Sequence, residues 1–280
     1  MEKPMHRLSL AATRVFTVLL AAATLACAPV TTAQDYTPTV GQEGKDVIWV
    51  PTPQSLVDKM LDMAKLTSRD IHYDLGSGDG RTVITAAKRG AAEAYGVEFN
   101  PDMVKLSERT AAKEGVAGKA KFINGDIFQT DFSRATVVTL YLLPSLNVKL
   151  RPTILKMKPG TRVVSHAFSM EDWQADETAT VEGRTAYLWI VPAQVNGRWQ
   201  MPGGGELTLK QSYQMISGTL KQGQKESAVK GQLSGERISF ALDADGGRRE
   251  FSGQVSGNAM QGTVKDPAGE GKWSATRAAK

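Results

Sequence analysis

Between residues 70 and 191 the chain alternates short apolar, β-branched runs with segments of helical periodicity, and this leaves few folds open. "DIHYDL", "AEAYGVEF", "AKFINGD", "ATVVTLYLL" and "TRVVSHAF" read as five strands, with two more strand-like runs around "TATVEG" and "TAYLWIV". "TPQSLVDKMLDMAKLT", "GRTVITAAKRG", "NPDMVKLSERTAAKEGV" and "SLNVKLRPTILKM" read as helices. The first is expected to open with Thr52 as N-cap and Pro53 in its first turn, the third with Asn100 and Pro101. Continuous β-branched strands alternating with helices call for a sheet buried on both faces. The expectation is therefore an α/β domain over residues 50–192, a doubly wound, mostly parallel sheet of seven strands.

The pattern changes on either side. After residue 193, Gly, Ser, Thr and Gln dominate, and "GELTLKQSY", "QMISGTLKQ", "SAVKGQLSG", "RISFALDA", "REFSGQVSG", "NAMQGTVKD" and "GKWSATR" recur between turn residues. This predicts a small C-terminal antiparallel β-meander or barrel over 193–280. Ahead of the α/β region, Lys3, Arg7 and Arg14 precede an apolar run from Val15 to Ala28 that is short for a bilayer span. That is the pattern of a secretory signal over 1–33, with cleavage after Ala33, and of an exported, periplasmic or envelope-associated protein. "TLAC" at 24–27 also resembles a bacterial lipoprotein processing box, in which case Cys27 carries a lipid anchor. Residues 34–49 read as a linker.

The charge of +5 divides unevenly: 19 Lys and Arg face 20 Asp and Glu over 34–192, and 12 face 8 from residue 193 onward. The excess is spread through the tail without basic runs, so nucleic acid is not an expected partner. One cysteine and three histidines give no basis for a metal site.

Ligands of such sheets bind at the carboxyl ends of the strands. "YDLGSGDGRTVI" lies there, with Gly76, Gly78 and Gly80 between strand one and a helix. The G-x-G-x-G spacing differs from the dinucleotide fingerprint, whose last glycine falls one position later, where this chain has Arg81. Asp74 would repel a pyrophosphate but suits a cation. Glu98 ends strand two, where a carboxylate can accept from paired ribose hydroxyls, and Asp126 ends strand three, where it can accept from a purine amine. A ribose, an adenine and a cationic, amino-acid-like tail without phosphate describe S-adenosylmethionine.

These residues resemble the seven-strand, class I, Rossmann-like S-adenosylmethionine-dependent methyltransferases, whose first motif is an acid followed by G-x-G-x-G. "VPTPQSLVDKML", "DLGSGDGRTVITAA", "GVEFNPDMVKLS", "DIFQTDFSRATVVTLYLLPS" and "MKPGTRVVSHAFSMEDW" are together similar to the lysine methyltransferases that modify the ATP-synthase c subunit and the adenine-nucleotide carrier, and to their bacterial relatives. The resemblance implies that Asp74, Gly76, Ser77, Gly78, Gly80, Glu98, Asp126 and Ile127 hold the cofactor. It also implies that Thr52 and the turn from Tyr141 to Pro144 border the methyl group, and that the acceptor is a protein lysine or another amine.

Methyl transfer from a sulfonium is an in-line displacement that needs alignment and exclusion of water more than a strong base. Tyr141, at the end of strand four, is the candidate for orienting the nucleophile, and equally a residue capping the sheet. His166, at the end of strand five, is a candidate base or the holder of a loop hydrogen bond. His72 reads as packing, and Phe168 and Trp173 as walls of a substrate channel or as aromatics that cover the end of the sheet. Two rivals stay open: an exported ligand-binding or sensor protein that keeps the fold without turnover, and a nicotinamide-dependent oxidoreductase, against which Arg81 and Asp74 count.

Overall fold

The computed structural model describes residues 1–2, 36–244 and 246–279 and contains a mixed sheet followed by a closed barrel. The stretch from Lys3 to Ala33 read as an export signal, Cys27 included, lies outside the described residues.

Helix α1 (Gln54–Met63) leads into β1 (Ile71–Leu75), α2 (Arg81–Lys88), β2 (Glu93–Glu98), α3 (Pro101–Lys113) and β3 (Ala120–Asn124). β4 (Val137–Leu140), α4 (Pro144–Ile154), β5 (Arg162–His166), β6 (Glu177–Val181) and β7 (Arg184–Ile190) complete the first part. The sheet order is β3-β2-β1-β4-β5-β7-β6. β1 to β5 are parallel, whereas β7 runs antiparallel to β5 and β6 antiparallel to β7. Its first crossovers run outward to β3 and the later ones return past β1 to β4, so a switch in strand order opens between β1 and β4.

Both faces are covered, as the continuous apolar strands require. Leu56, Met60 and Leu61 of α1 and Val83 and Ala87 of α2 pack on one side with Ala94, Val137, Val164 and Leu188. On the other side Leu150 and Ile154 of α4 meet Tyr73, Val138, Val163 and Trp189, and Phe132 of the β3–β4 connection fills the place of a further helix. At the amino ends of the strands, Asp70 is buried with Arg162 as its ion-pair partner. Thr136 Oγ1 donates to the same carboxylate at 2.8 Å and Thr67 N at 2.7 Å, so β1, β4 and β5 share one charged anchor.

Asn100 caps α3, accepting from Asp102 N at 2.9 Å, with Pro101 in the first turn. Thr52 does not cap α1. Pro53 keeps an extended ψ of 145°, which starts the helix at Gln54 and leaves the Thr52 hydroxyl for another partner.

The second part is an eight-stranded antiparallel barrel: β8 (Gly197–Met201), β9 (Gly205–Ser212), β10 (Met215–Gln222), β11 (Lys225–Ser234), β12 (Arg237–Ala244), β13 (Gly247–Ser256), β14 (Ala259–Asp266) and β15 (Gly269–Arg277). Seven of these match the strand-like runs, and β8 is the addition. Short as it is, β8 pairs with both β9 and β15 and so closes the barrel. Closure removes the exposed edges that an open meander would keep. Phe240, Phe251 and Trp273 fill the interior, the first two stacked at 4.5 Å. A Cβ on Gly262 would lie 1.9 Å from Ser252 O, so the tight curvature of β13 and β14 admits no side chain there.

Barrel and sheet touch at the β9–β10 turn. Tyr213 stacks on Trp173 at 5.7 Å and donates to Asp172 at 2.7 Å, and Gln214 Nε2 donates to Gln174 O at 2.8 Å. Trp173 is fully buried and is not the channel wall that was one expectation for it, because it is enclosed between Trp189 and this turn.

Candidate functional site

A cavity of about 520 Å³ opens at the carboxyl ends of β1, β2, β3 and β4, over the switch in strand order. That is ample for a small-molecule ligand. Thr52, Asp74, Gly76, Ser77, Gly78, Glu98, Asp126, Ile127 and Tyr141 all line it. Gly80 and His166 are not among the lining residues.

The glycine loop owes its shape to its three left-handed residues, with φ of 80° at Gly76, 53° at Gly78 and 77° at Gly80. Its first amides are tied to the neighbouring strand, since Gly76 N and Ser77 N both donate to Val97 O at 2.9 and 3.0 Å. Gly80 sits immediately before α2, where a Cβ would lie 2.7 Å from both the Phe122 ring and Ser107 Oγ. Its role is thus to let α2 approach β3 and α3. Ser77 is buried against Gly96, and its hydroxyl has no protein partner.

The three acids differ in state. Asp74 is buried, and Thr139 Oγ1 donates to its Oδ1 at 2.6 Å. Loss of solvent outweighs that bond and pushes the carboxyl up to about 7. His72 Nε2 lies 2.8 Å from the same Thr139 oxygen. Because the Thr139 proton goes to Asp74, His72 must donate through Nε2, which leaves its buried Nδ1 without a partner. Burial holds His72 down at about 3, so the imidazole is neutral. The register of β1 with β4 brings His72, Thr139 and Asp74 into one chain.

Glu98 is only partly buried and organises two loops: Oε2 accepts from Gly78 N and Oε1 from Asn100 N, both at 2.9 Å. Each oxygen retains a second lone pair for a ligand hydroxyl. Asp126 accepts from Phe128 N through Oδ1 at 2.8 Å, and its Oδ2 is 2.6 Å from Lys45 Nζ. The hydrogen bond from Lys45 is the largest influence holding this carboxyl below the ordinary range.

At the other end of the cavity, Tyr141 follows β4 and Phe168 follows β5, their rings 6.2 Å apart. His166 lies against Tyr141 at 3.8 Å, buried, with Nδ1 3.0 Å from Thr52 Oγ1. The hydroxyl that α1 does not use is therefore engaged here. Burial, and after it Arg184, brings His166 down to about 4. The loop carrying Phe168 is fixed from beneath by fully buried Asn147 of α4, which donates to Phe168 O and Ser169 O at 3.2 Å.

Residues 36–49 do more than link. Gly41 N donates to Trp49 O and Trp49 N to Gln42 O, both at 2.9 Å, and Gly44 N closes the tip on Val47 O at 3.0 Å. This hairpin lies along the cavity and lines it from Gln42 to Val50. Sequence reasoning missed it for lack of periodicity; Gly41, Gly44 and Trp49 are its only local signals. Phe99, also on the rim, was missed as well, whereas Leu143 belongs to the Tyr141–Pro144 turn that was expected there.

The donors suit S-adenosylmethionine: a buried carboxyl waiting for a cation, two carboxylates with spare lone pairs and an apolar, aromatic far wall. The ANTKMT methyltransferase domain matches residues 74–177. A protein-lysine N-methyltransferase of Saccharolobus islandicus is 44% identical over 151 residues, which are 52% of this chain and 94% of that protein. The mouse lysine N-methyltransferase named for the ATP synthase C subunit is 33% identical over 155 residues, 55% of this chain and 62% of that protein. A solved structure from Salinibacter ruber, titled as an RNA methyltransferase in complex with S-adenosyl-L-homocysteine, is 51% identical with a TM-score of 0.51. It is matched over 52% of this chain and 96% of that one. With an acid–glycine loop at the switch point and the S. islandicus and S. ruber relatives matched almost end to end, this chain belongs to the class I S-adenosylmethionine-dependent methyltransferases, in the group that carries the ANTKMT methyltransferase domain.

Proposed function

We propose that this methyltransferase modifies the ε-amino group of a lysine in a protein. The observation that carries the reading is the charge around the cavity. Glu43, Asp46, Asp74, Asp79, Glu98 and Asp126 line it against Lys45 and Arg81, and Arg81 is itself held by Asp79. Most of these acids stand at the cofactor end, so they act through the field of the whole cavity, which attracts a lysine ammonium and repels nucleic-acid phosphates. It therefore favours the activity in the names of the S. islandicus and mouse relatives over that in the S. ruber title.

In this reading Asp126 accepts from the adenine amine, Glu98 from the ribose hydroxyls, and Asp74 takes the cationic amino-acid end. The cofactor supplies an electrophilic methyl group on its sulfonium. Tyr141 and Phe168 wall the approach to it, and a lysine passing along these rings loses water, which favours the neutral, nucleophilic amine. His166 is not the base. It does not line the cavity, its Nδ1 is engaged by Thr52 and its ring lies against Tyr141, so in this reading its part is to hold the Tyr141 ring in place. The export pattern of residues 1–33 supports a location in the cell envelope, and the acceptor is sought there.

Transfer of labelled methyl from S-adenosylmethionine to an envelope protein fraction and, in parallel, to total RNA tests the proposal. The expected result is protease-sensitive label that hydrolyses to methyl-lysine. Label that only RNase removes would refute it, and so would methylation confined to other amino acids.

A further inference from the structure

The hairpin over the cavity reaches both ends of the cofactor site. At its base the Trp49 indole lies over the glycine loop, where a Cβ on Gly78 would stand 2.6 Å from Nε1. At its tip Lys45 pairs with Asp126 and lies 4.9 Å from the centre of the Phe99 ring. Gly78 thus lacks a side chain at the point where the indole rests, whatever the cofactor requires of it. Phe99 is 52% exposed despite its size, and Lys45 is the cation that covers it.

A lysine on Asp126 has two readings. It could plug the adenine position, or it could be part of a wall around it. The volume decides between them: about 520 Å³ stays open with the hairpin in place, within the range of small-molecule sites. The hairpin therefore roofs the site without filling it, and Asp126 Oδ2 can accept from an adenine amine beside Lys45. What holds the roof down is weak. The ion pair lies at the surface, with about a third of the Lys45 side chain and a fifth of that of Asp126 accessible, so water screens it and its rupture costs little.

We propose that the hairpin from Gly41 to Trp49 is a clasp over the adenosine half of the cofactor, and that Lys45 and Trp49 are cofactor-contacting residues. The clasp must lift for the cofactor to enter or leave, and it closes over the bound nucleoside through Lys45 on Asp126 and Trp49 on the glycine loop. This rests on the placement of adenine at Asp126 proposed above. Lys45 is not a methyl acceptor in this arrangement, since it stands at the adenine end, away from Tyr141.

S-adenosyl-L-homocysteine is the probe. Its dissociation is followed by stopped-flow tryptophan fluorescence on the full chain, with calorimetry to establish binding. The clasp predicts that saturating ligand changes the emission and that Trp49→Phe removes the change, the other four tryptophans being buried elsewhere. Lys45→Met is expected to dissociate about fivefold faster, the scale of one exposed ion pair. It should also lose the acceleration by salt that the wild type shows. Trp49→Ala should dissociate faster still. A merely structural hairpin would shift the unfolding midpoint of the free protein in Lys45→Met and leave the salt dependence intact. Unchanged dissociation in both variants, or emission indifferent to ligand, would overturn the clasp while leaving the cofactor site standing. Absence of binding to the wild type would overturn both.

Discussion

Asp74→Asn should make the ligand-free protein more stable at neutral pH while disabling it. The carboxyl sits at about 7 in the folded protein against an ordinary 3.8, because it has lost its water. A folded-state value above the unfolded one means that the native protein binds the proton more tightly. Below pH 4 both states are protonated, and the group contributes nothing to the pH dependence. As pH rises from 4 to 7 the unfolded chain ionises freely while the folded one resists, so stability falls. Above 7 the loss is complete, and three units correspond to about 4 kcal/mol as an upper bound. Asparagine removes the ionisation, and its oxygen can still accept from Thr139. Urea unfolding of both proteins without cofactor, from pH 4.5 to 8.5, isolates the effect, because other titrating groups cancel in the difference. The expected gap opens with pH and reaches about 2–4 kcal/mol in favour of Asp74→Asn by pH 8. In the same variant, affinity for S-adenosyl-L-homocysteine should drop by roughly 1.5–3 kcal/mol for a lost charge-assisted hydrogen bond. A constant gap across the pH range, or a variant less stable than wild type at pH 8, would refute the reasoning.

Glu98→Ala removes the acceptor of Gly78 N and Asn100 N together with the proposed ribose contact; calorimetry should show cofactor affinity weaker by about 1–3 kcal/mol, and an unaltered affinity would take Glu98 out of the site. Arg162→Met strands the buried Asp70 carboxylate and should cost about 3–5 kcal/mol in urea unfolding at pH 7. That cost should shrink at low pH, because burial raises the Asp70 carboxyl but Arg162, Thr136 and Thr67 more than offset this and lower it overall. Tyr213→Ala strips the ring that covers Trp173 and should separate unfolding of the barrel from that of the sheet, turning one calorimetric transition into two; a single unshifted transition would show that the turn does not couple them.

The sheet is legible in the sequence because its signal is local: each β-branched run and each amphipathic helix declares itself within a dozen residues, and Asn100 before Pro101 marks a helix start unaided. The acid–glycine loop is legible for the same reason. Thr52 misleads because a hydroxyl before Pro53 looks the same whether it caps α1 or reaches His166, 114 residues away. The His72–Thr139–Asp74 chain depends on β1 lying beside β4, a register that no short window encodes. β8 escapes notice as a five-residue strand whose worth comes from closing a barrel between β9 and β15. The hairpin over the cavity reads as a linker because its few contacts are made with distant loops.

Strand order accounts for how scattered residues can form one elongated site. Asp126 just follows β3, Glu98 ends β2 and Asp74 is the penultimate residue of β1, and these strands are consecutive neighbours in the sheet. Adjacent strands lie about 4.8 Å apart, so the three acids spread over roughly 10 Å in a line. In the proposed assignment that line runs from adenine through ribose to the cationic end, and the next strands, β4 and β5, carry Tyr141 and Phe168 for the acceptor. Position along the sheet thus translates into position along the cofactor. The barrel follows β7, beyond the acceptor end, and touches the sheet at the loop that bears Phe168 and Trp173. The β3 edge, with the hairpin above it, is left to the nucleoside. In that assignment cofactor exchange and acceptor entry have opposite ends of one cavity available to them.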